Sequence, residues 1–179
     1  MASHLPAQED SANTYYATAG TQMAITRMKP SDKESIVSGI WNAMLTEIFP
    51  PNERYIVRPE SHNPGGISDL VVLQYVEGNG QWREKMFLVV QCKRMTRELQ
   101  NAVWDKAMEG LGKYLPKMKP KVSQHRVYGV AAVGRWTEFV ELDRATGSLV
   151  AFRQPGKYHI ARNCRTIQQI LEYIRDHHQ

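Results

Sequence analysis

The sequence predicts an α/β domain in which a central mixed β-sheet is flanked by helices. Three observations carry that prediction. Ile36, Val37, Ile40, Trp41, Met44, Leu45 and Ile48 recur at helical spacing and stop at Pro50-Pro51. Two apolar runs joined by the polar stretch Glu77-Gly78-Asn79-Gly80 read as an antiparallel hairpin. A second helical stripe then precedes the buried strand pattern "HRVYGVAAVGRW".

Residues 1–28 are rich in Ala, Ser, Thr and Gln without a sustained period, so they are expected to form a flexible N-terminal arm. Residues 29–179 are expected to form one domain. Its first helix has Ser31 or Asp32 as N-cap. The short strand "RYIVRP" follows, then the loop "ESHNPGG", then hairpin strands over Ser68–Val76 and Lys85–Lys93. Leu99, Val103, Ala107, Leu111 and Tyr114 align on one stripe of a helix that ends before Pro116, with Trp104 one residue around and read as core. After the buried strand, "TEFVELDR" and "SLVAFR" pair across Thr146-Gly147, and "TIQQILEYIRDH" closes the chain as a helix.

Composition narrows the function classes. At 179 residues, 42% hydrophobic and 23% charged, the chain suits one globular domain. No apolar run is long enough to span a bilayer, and the N-terminus lacks a basic start followed by an apolar core. An intracellular location, cytoplasm or nucleus, without a membrane partner is therefore expected. Cys92 and Cys164 have no metal-type spacing and read as reduced thiols. The net charge of +5 permits a polyanionic partner without demanding one. The histidines show no triad partnership, and Gly65-Gly66 lies outside any phosphate-loop context.

The hairpin raises a sharper question, because its apolar strands carry polar groups at one end. Side chains alternate across a strand, so Gln91 and Lys93 face one way and Val90 and Cys92 the other. A turn centred near Gly80 with no bulge sets Asp69 opposite Gln91. Val71, Leu73, Val89 and Phe87 then share their face, and Leu70, Val72, Leu88 and Val90 occupy the opposite one. A carboxylate, an amide and an ammonium converge at one end of a strand pair apolar on both faces. The plainer reading of the three is capping and solvation of strand ends, which does not explain their common face.

"GGISDLVV" followed by "VVQCKR" resembles the PD-(D/E)XK nuclease superfamily, whose motif sets an Asp at the start of one strand and an acid or Gln two residues before a Lys at the end of the next. The version with Gln is most similar to the Mrr-type restriction endonuclease branch. The order helix, three strands, helix, strand from about Ser31 to Val133 also matches that family. Ser68 stands where the family usually has Pro before the Asp. The resemblance implies a restriction-endonuclease-like core and hydrolysis of phosphodiesters, most readily in DNA, with Mg²⁺ or Mn²⁺ held by Asp69, the Gln91 amide oxygen and an acid from the first helix, Glu34. It gives Lys93 the role of orienting water and stabilising the transition state. A helix-start acid such as Glu34 also has a simpler reading, since the helix dipole favours it.

Other candidates sit nearby. Arg94, Arg97, Lys113, Lys117, Lys119 and Lys121 are candidate phosphate contacts, with solvated helix ends as the simpler reading. Glu60 and His62 belong to the loop before Asp69, and Gln100 is faintly similar to a Gln motif that some family members carry after the Lys. Two alternatives stand beside the DNA nuclease: a catalytically silent module binding nucleic acid or protein, and an RNA-processing nuclease. Cutting both strands of a duplex with one site per chain commonly needs two chains, which makes a homodimer an expectation of the nuclease reading.

Overall fold

The computed structural model of the chain describes residues 5–60, 69–118 and 126–178, with Glu60 and Asp69 described through their backbone. Among these residues seven strands form one mixed sheet in the order β1-β2-β3-β4-β5-β6, with β7 also paired to β5. The strands are β1 (Tyr55–Glu60), β2 (Asp69–Gly78), β3 (Gln81–Lys93), β4 (Tyr128–Val133), β5 (Trp136–Leu142), β6 (Leu149–Ala151) and β7 (Tyr158–His159). The helices are α1 (Ala19–Arg27), α2 (Glu34–Ile48), α3 (Asn101–Tyr114) and α4 (Cys164–His177). None of these helices is long and apolar enough to cross a membrane. All neighbouring strands are antiparallel except β3 and β4, which α3 connects in parallel.

The sheet is buried on both faces, as its two-sided apolarity requires. One core joins Leu70, Val72, Leu88, Val90 and Cys92 to the apolar stripes of α2 and α4. The other joins Val71, Val89 and Ala131 to Val103, Trp104, Ala107 and Leu111 of α3. Cys92 is fully buried in the first core, so its thiol lacks the exposure that reactivity requires.

Two expected boundaries shift for identifiable reasons. Asp32 does not cap α2. Its carboxylate accepts a hydrogen bond from the Lys29 N–H at 2.8 Å, and the helix starts at Glu34 with Lys33 as N-cap. Leu99 falls outside the α3 stripe because a 3-10 turn at Met95–Arg97 delays the helix until Asn101, leaving Leu99 85% exposed.

The segment expected to be an arm is anchored to the rest of the domain, with its buried residues beginning at Thr14 and Tyr15. Tyr15 is fully buried and donates its hydroxyl hydrogen to the Ile160 carbonyl at 2.7 Å, while its backbone N–H donates to Gln168 Oε1 at 3.1 Å. Ile25 of α1 enters the α2–α4 core, and Arg135 Nη2 donates to the Met28 carbonyl at 2.6 Å. Single anchors to residues far along the chain hold this segment. A local period has no means of registering them.

The hairpin departs from a plain ladder in two compensating ways. Its turn is Asn79-Gly80, both residues at positive φ (54° and 72°), as a two-residue turn of this hand requires. Pairing runs from Gly78↔Gln81 to Leu73↔Met86, then jumps to Val72↔Leu88 and ends at Asp69↔Gln91. Phe87 is the extra residue of a β-bulge. Unbulged, the register from this turn would set Asp69 opposite Val90. Phe87 consequently joins Leu88 in the α2–α4 core, which corrects its expected placement beside Val89.

His159 closes the β5 edge of the sheet. Its Nδ1 accepts hydrogen bonds from the Ala161 and Arg162 N–H groups at 3.2 and 3.3 Å. Burial first, then Arg135 and Arg162, push its pKa down from 6.5 to about 4. The unfolded chain therefore binds a proton that the folded chain refuses between those values, and this stability is complete above pH 6.5 and lost as pH falls toward 4. We expect stability in urea to fall by about 2 kcal/mol between pH 7 and pH 5. His159→Gln should flatten that slope, and an unchanged slope in the variant would refute the assignment.

Candidate functional site

The end of the sheet where β3 and β4 finish carries most of the predicted chemistry. Lys93 is the last residue of β3, and Glu34 is the first of α2. Their charged groups lie 3.7 Å apart, both partly buried. The α2 N-terminus favours the Glu34 carboxylate through its dipole, and the Lys93 ammonium adds a second attraction. The structure thus joins two site residues predicted from separate elements.

Gln91 lies deeper. It is 3% exposed, and its Oε1 has no hydrogen-bond partner among the described residues. An amide oxygen in that state costs free energy that an apolar side chain would not. Space for it comes from α3, because a Cβ at Gly110 would collide with Gln91 Oε1 and Nε2. Gly110 is therefore a helix-interior glycine with a packing reason.

The strand registers place one line of residues across five strands: Glu60↔Asp69↔Gln91↔Ala131↔Glu138. Ala131 lies in the core beneath α3 and the Gln91 amide packs against Gly110, so the described side chains at the middle of this line belong to the α3 face. Glu138 was not foreseen from sequence. It is partly buried, and burial raises its carboxyl pKa against the opposing pull of Lys157. Lys157 in turn sits 4.1 Å over the Trp104 ring. The signal that could have found Glu138 is the alternation of "WTEFVEL", which sets it between Trp136 and Val140 on one face.

A braced turn forms the rim. Gly134 N–H donates to the Lys93 carbonyl at 3.0 Å, and Arg135 N–H donates to Glu98 Oε1 at 2.6 Å. Gly134 has φ of 57°, and a Cβ there would lie 2.5 Å from the Met95 Cα. Burial raises the Glu98 pKa, while the Arg135 backbone bond and charge oppose that rise. Trp104 Nε1 donates to the Glu98 carbonyl at 2.8 Å, which ties α3 to the same turn and bears out the core reading of Trp104.

The basic residues do not form one cluster. Arg94 and Arg97 are exposed just beyond Lys93, and exposed Gln100 is the N-cap of α3. Lys113, paired with Glu109, and Lys117 lie at the other end of α3, roughly 20 Å away along its axis. Lys119, Lys121 and His62 lie outside the described residues, as do the side chains of Glu60 and Asp69. Among the described residues no three His, Cys, Asp or Glu side chains gather closely enough to hold a metal ion.

No protein-family model matches the chain, and neither does any curated protein or solved structure.

The orphaned amide generates a stability prediction. Gln91→Leu removes the unsatisfied oxygen at similar volume, so the variant should be more stable than the natural chain by about 1 kcal/mol in urea unfolding. A loss of stability would mean that the Gln91 amide is hydrogen-bonded in solution.

Proposed function

We propose that the chain is a metal-dependent nuclease of restriction-endonuclease-like fold that hydrolyses phosphodiester bonds in DNA. The observation that carries this reading is the meeting of Glu34 and Lys93 at the end of β3, beside the register line that holds Asp69 and the orphaned Gln91 oxygen. The order α2, β1–β3, α3, β4 supports it.

The donor set suits a hard cation. The Gln91 Oε1 is buried without a donor among the described residues, and an amide oxygen with two carboxylates matches the oxygen ligands of Mg²⁺ or Mn²⁺. Asp69, Gln91 and Glu34 would hold the ion, which when bound acidifies water and offsets charge on phosphorus. Lys93 keeps its ammonium at the end of the strand through Glu34, where it can donate to an attacking water and to a phosphate oxygen. Glu98 and Gly134 hold the rim on which Lys93 ends. Arg94 and Arg97 extend positive charge to the flanking strand.

A second reading, a module of the same fold that binds nucleic acid without cutting it, is favoured by one observation. Gln91 is sealed beneath Gly110, where its amide acts as a spacer between β3 and α3.

One set of measurements separates the two. Duplex, single-stranded, methylated and branched DNA, with RNA alongside, are incubated with Mg²⁺ or Mn²⁺. The nuclease reading expects cleavage that Lys93→Ala lowers at least about 100-fold. It also expects Gly110→Ala, which displaces the Gln91 amide without removing it, to keep the fold and lose activity. In calorimetry, Gln91→Glu should bind Mn²⁺ more tightly and Asp69→Ala should lose it. Salt-sensitive binding without metal-dependent cleavage would establish the second reading, and cleavage confined to RNA would reassign the substrate.

A further inference from the structure

A cavity of about 190 Å³ opens between α1, the β4–β5 turn and the residues before α4. Arg135, Arg162 and His159 line it together with Tyr16, Ile25 and Thr26. Its lining holds no Asp or Glu among the described residues. Two guanidinium groups and no carboxylate make a cavity that favours an anion.

The hydrogen-bonding capacity left over points the same way. Arg135 Nη2 serves the Thr26 and Met28 carbonyls at 3.3 and 2.6 Å, while its Nε is buried with no partner among the described residues. A guanidinium carries five N–H donors, so Arg135 retains capacity beyond this tether. Arg162 makes no side-chain hydrogen bond or ion pair among the described residues, which leaves its planar fork available. His159 Nδ1 accepts two backbone bonds, which sets the remaining ring proton of the neutral imidazole on Nε2 as a donor. Two carboxylates lie nearby: Glu98 is spent on the Arg135 N–H on the other side of the turn, and Glu9, whose N–H donates to the Arg162 carbonyl, accepts from the Thr166 N–H and hydroxyl.

The cavity lies at the same end of the sheet as Lys93. Lys93 pairs with Val133, and the Gly134 N–H that follows bonds the Lys93 carbonyl. Arg135 is the next residue. We propose that this cavity binds a phosphate group through Arg135 and Arg162, and that the group is a backbone phosphate of the nucleic-acid strand lying across Lys93. The second half of the proposal rests on the nucleic-acid reading above, and the first half does not. The tetrahedral oxygens of a phosphate suit donors from two separate forks, and Arg135 also carries the site's contact with α1 through its bonds to Thr26 and Met28.

Inorganic phosphate is the first probe. At about 10 mM, a site with a Kd of about 1 mM should raise the melting temperature of the natural chain by about 4 °C relative to sodium chloride of equal ionic strength. Arg162→Ala should abolish the rise, and Arg162→Lys, which keeps the charge and loses the fork, should reduce it. Arg165→Ala, which removes an exposed arginine paired with Asp10, should leave it intact. No rise in the natural chain, or an equal rise in Arg162→Ala, overturns the site. The second probe is a short single-stranded oligonucleotide, titrated by fluorescence anisotropy without divalent metal. Arg162→Ala should weaken its binding about tenfold and lower the salt dependence by about one phosphate contact. Lost phosphate response with unchanged oligonucleotide affinity overturns the strand as the source and leaves a site for a free phosphate compound. Neither probe depends on cleavage, so a failed nuclease assay and a failed phosphate site are read separately.

Discussion

The position of Asp69 at the site end of the sheet depends on one register, and the bulge at Phe87 sets it. The two-residue Asn79-Gly80 turn starts the ladder one residue away from the pairing that Asp69 and Gln91 require. A slip of one residue exchanges the two faces of a strand. Without the bulge, Gln91 and Lys93 would keep their own alternation while every β2 partner from Val72 to Asp69 shifted by one, and the line from Glu60 to Glu138 would break at Asp69. Phe87 is held in that position by packing: it is fully buried, its ring centre 5.6 Å from that of Phe49 and stacked 3.9 Å from that of His178. The core beneath α2 and α4 thereby stabilises the register that the opposite face uses.

The α3 face shows a different form of specification. Gln91 occupies a place that Leu or Val would fill at less cost, and Gly110 is the concession that makes room for it. A glycine inside a helix costs about 1 kcal/mol relative to Ala, and the unsatisfied amide adds to that. Two unfavourable choices that only make sense together are a stronger sign of purpose than either alone. The same logic applies to Gly134, whose positive φ and close approach to Met95 let Glu98 bond the Arg135 N–H.

Periodicity makes α2, α3, α4, β4 and the hairpin legible, because each buries one face or both against a core and its pattern follows directly. The bulge is not legible: nothing in "EKMFLVV" distinguishes an extra residue, and Asp69 stands opposite Gln91 as expected only because the unread bulge cancels a misplaced turn centre. The N-terminal segment is hidden for the opposite reason. Tyr15 and Ile25 act singly, through partners such as Ile160 that only the fold brings near. Glu34 is a candidate because the resemblance calls for an acid from the first helix, a choice that the plain preference of helix starts for acids blurs, and its meeting with Lys93 is a tertiary fact. Glu138 and Arg135 were missed because their neighbours come from β4, α1 and the segment before α4.

Unsatisfied buried groups are not confined to the site end. Trp41 Nε1 and Thr137 Oγ1 also lack partners among the described residues, and Lys85 is buried near the hairpin with its pKa lowered to about 8, by burial first and then by Arg144. Orphan status alone therefore does not identify a functional group. What separates Gln91 and Arg135 is that each is coupled to a second constraint near Lys93: Gln91, beneath the rim, to the missing side chain at Gly110, and Arg135, on the rim, to the Gly134 turn that bonds Lys93. Lys85 sits toward the opposite end of β3, away from that rim. Unfavourable features scattered through a fold are tolerated one at a time by the packing around each. Gln91, two residues before Lys93 on the same strand, and Gly134, whose N–H bonds the Lys93 carbonyl, both bear directly on the residue on which the proposed chemistry turns.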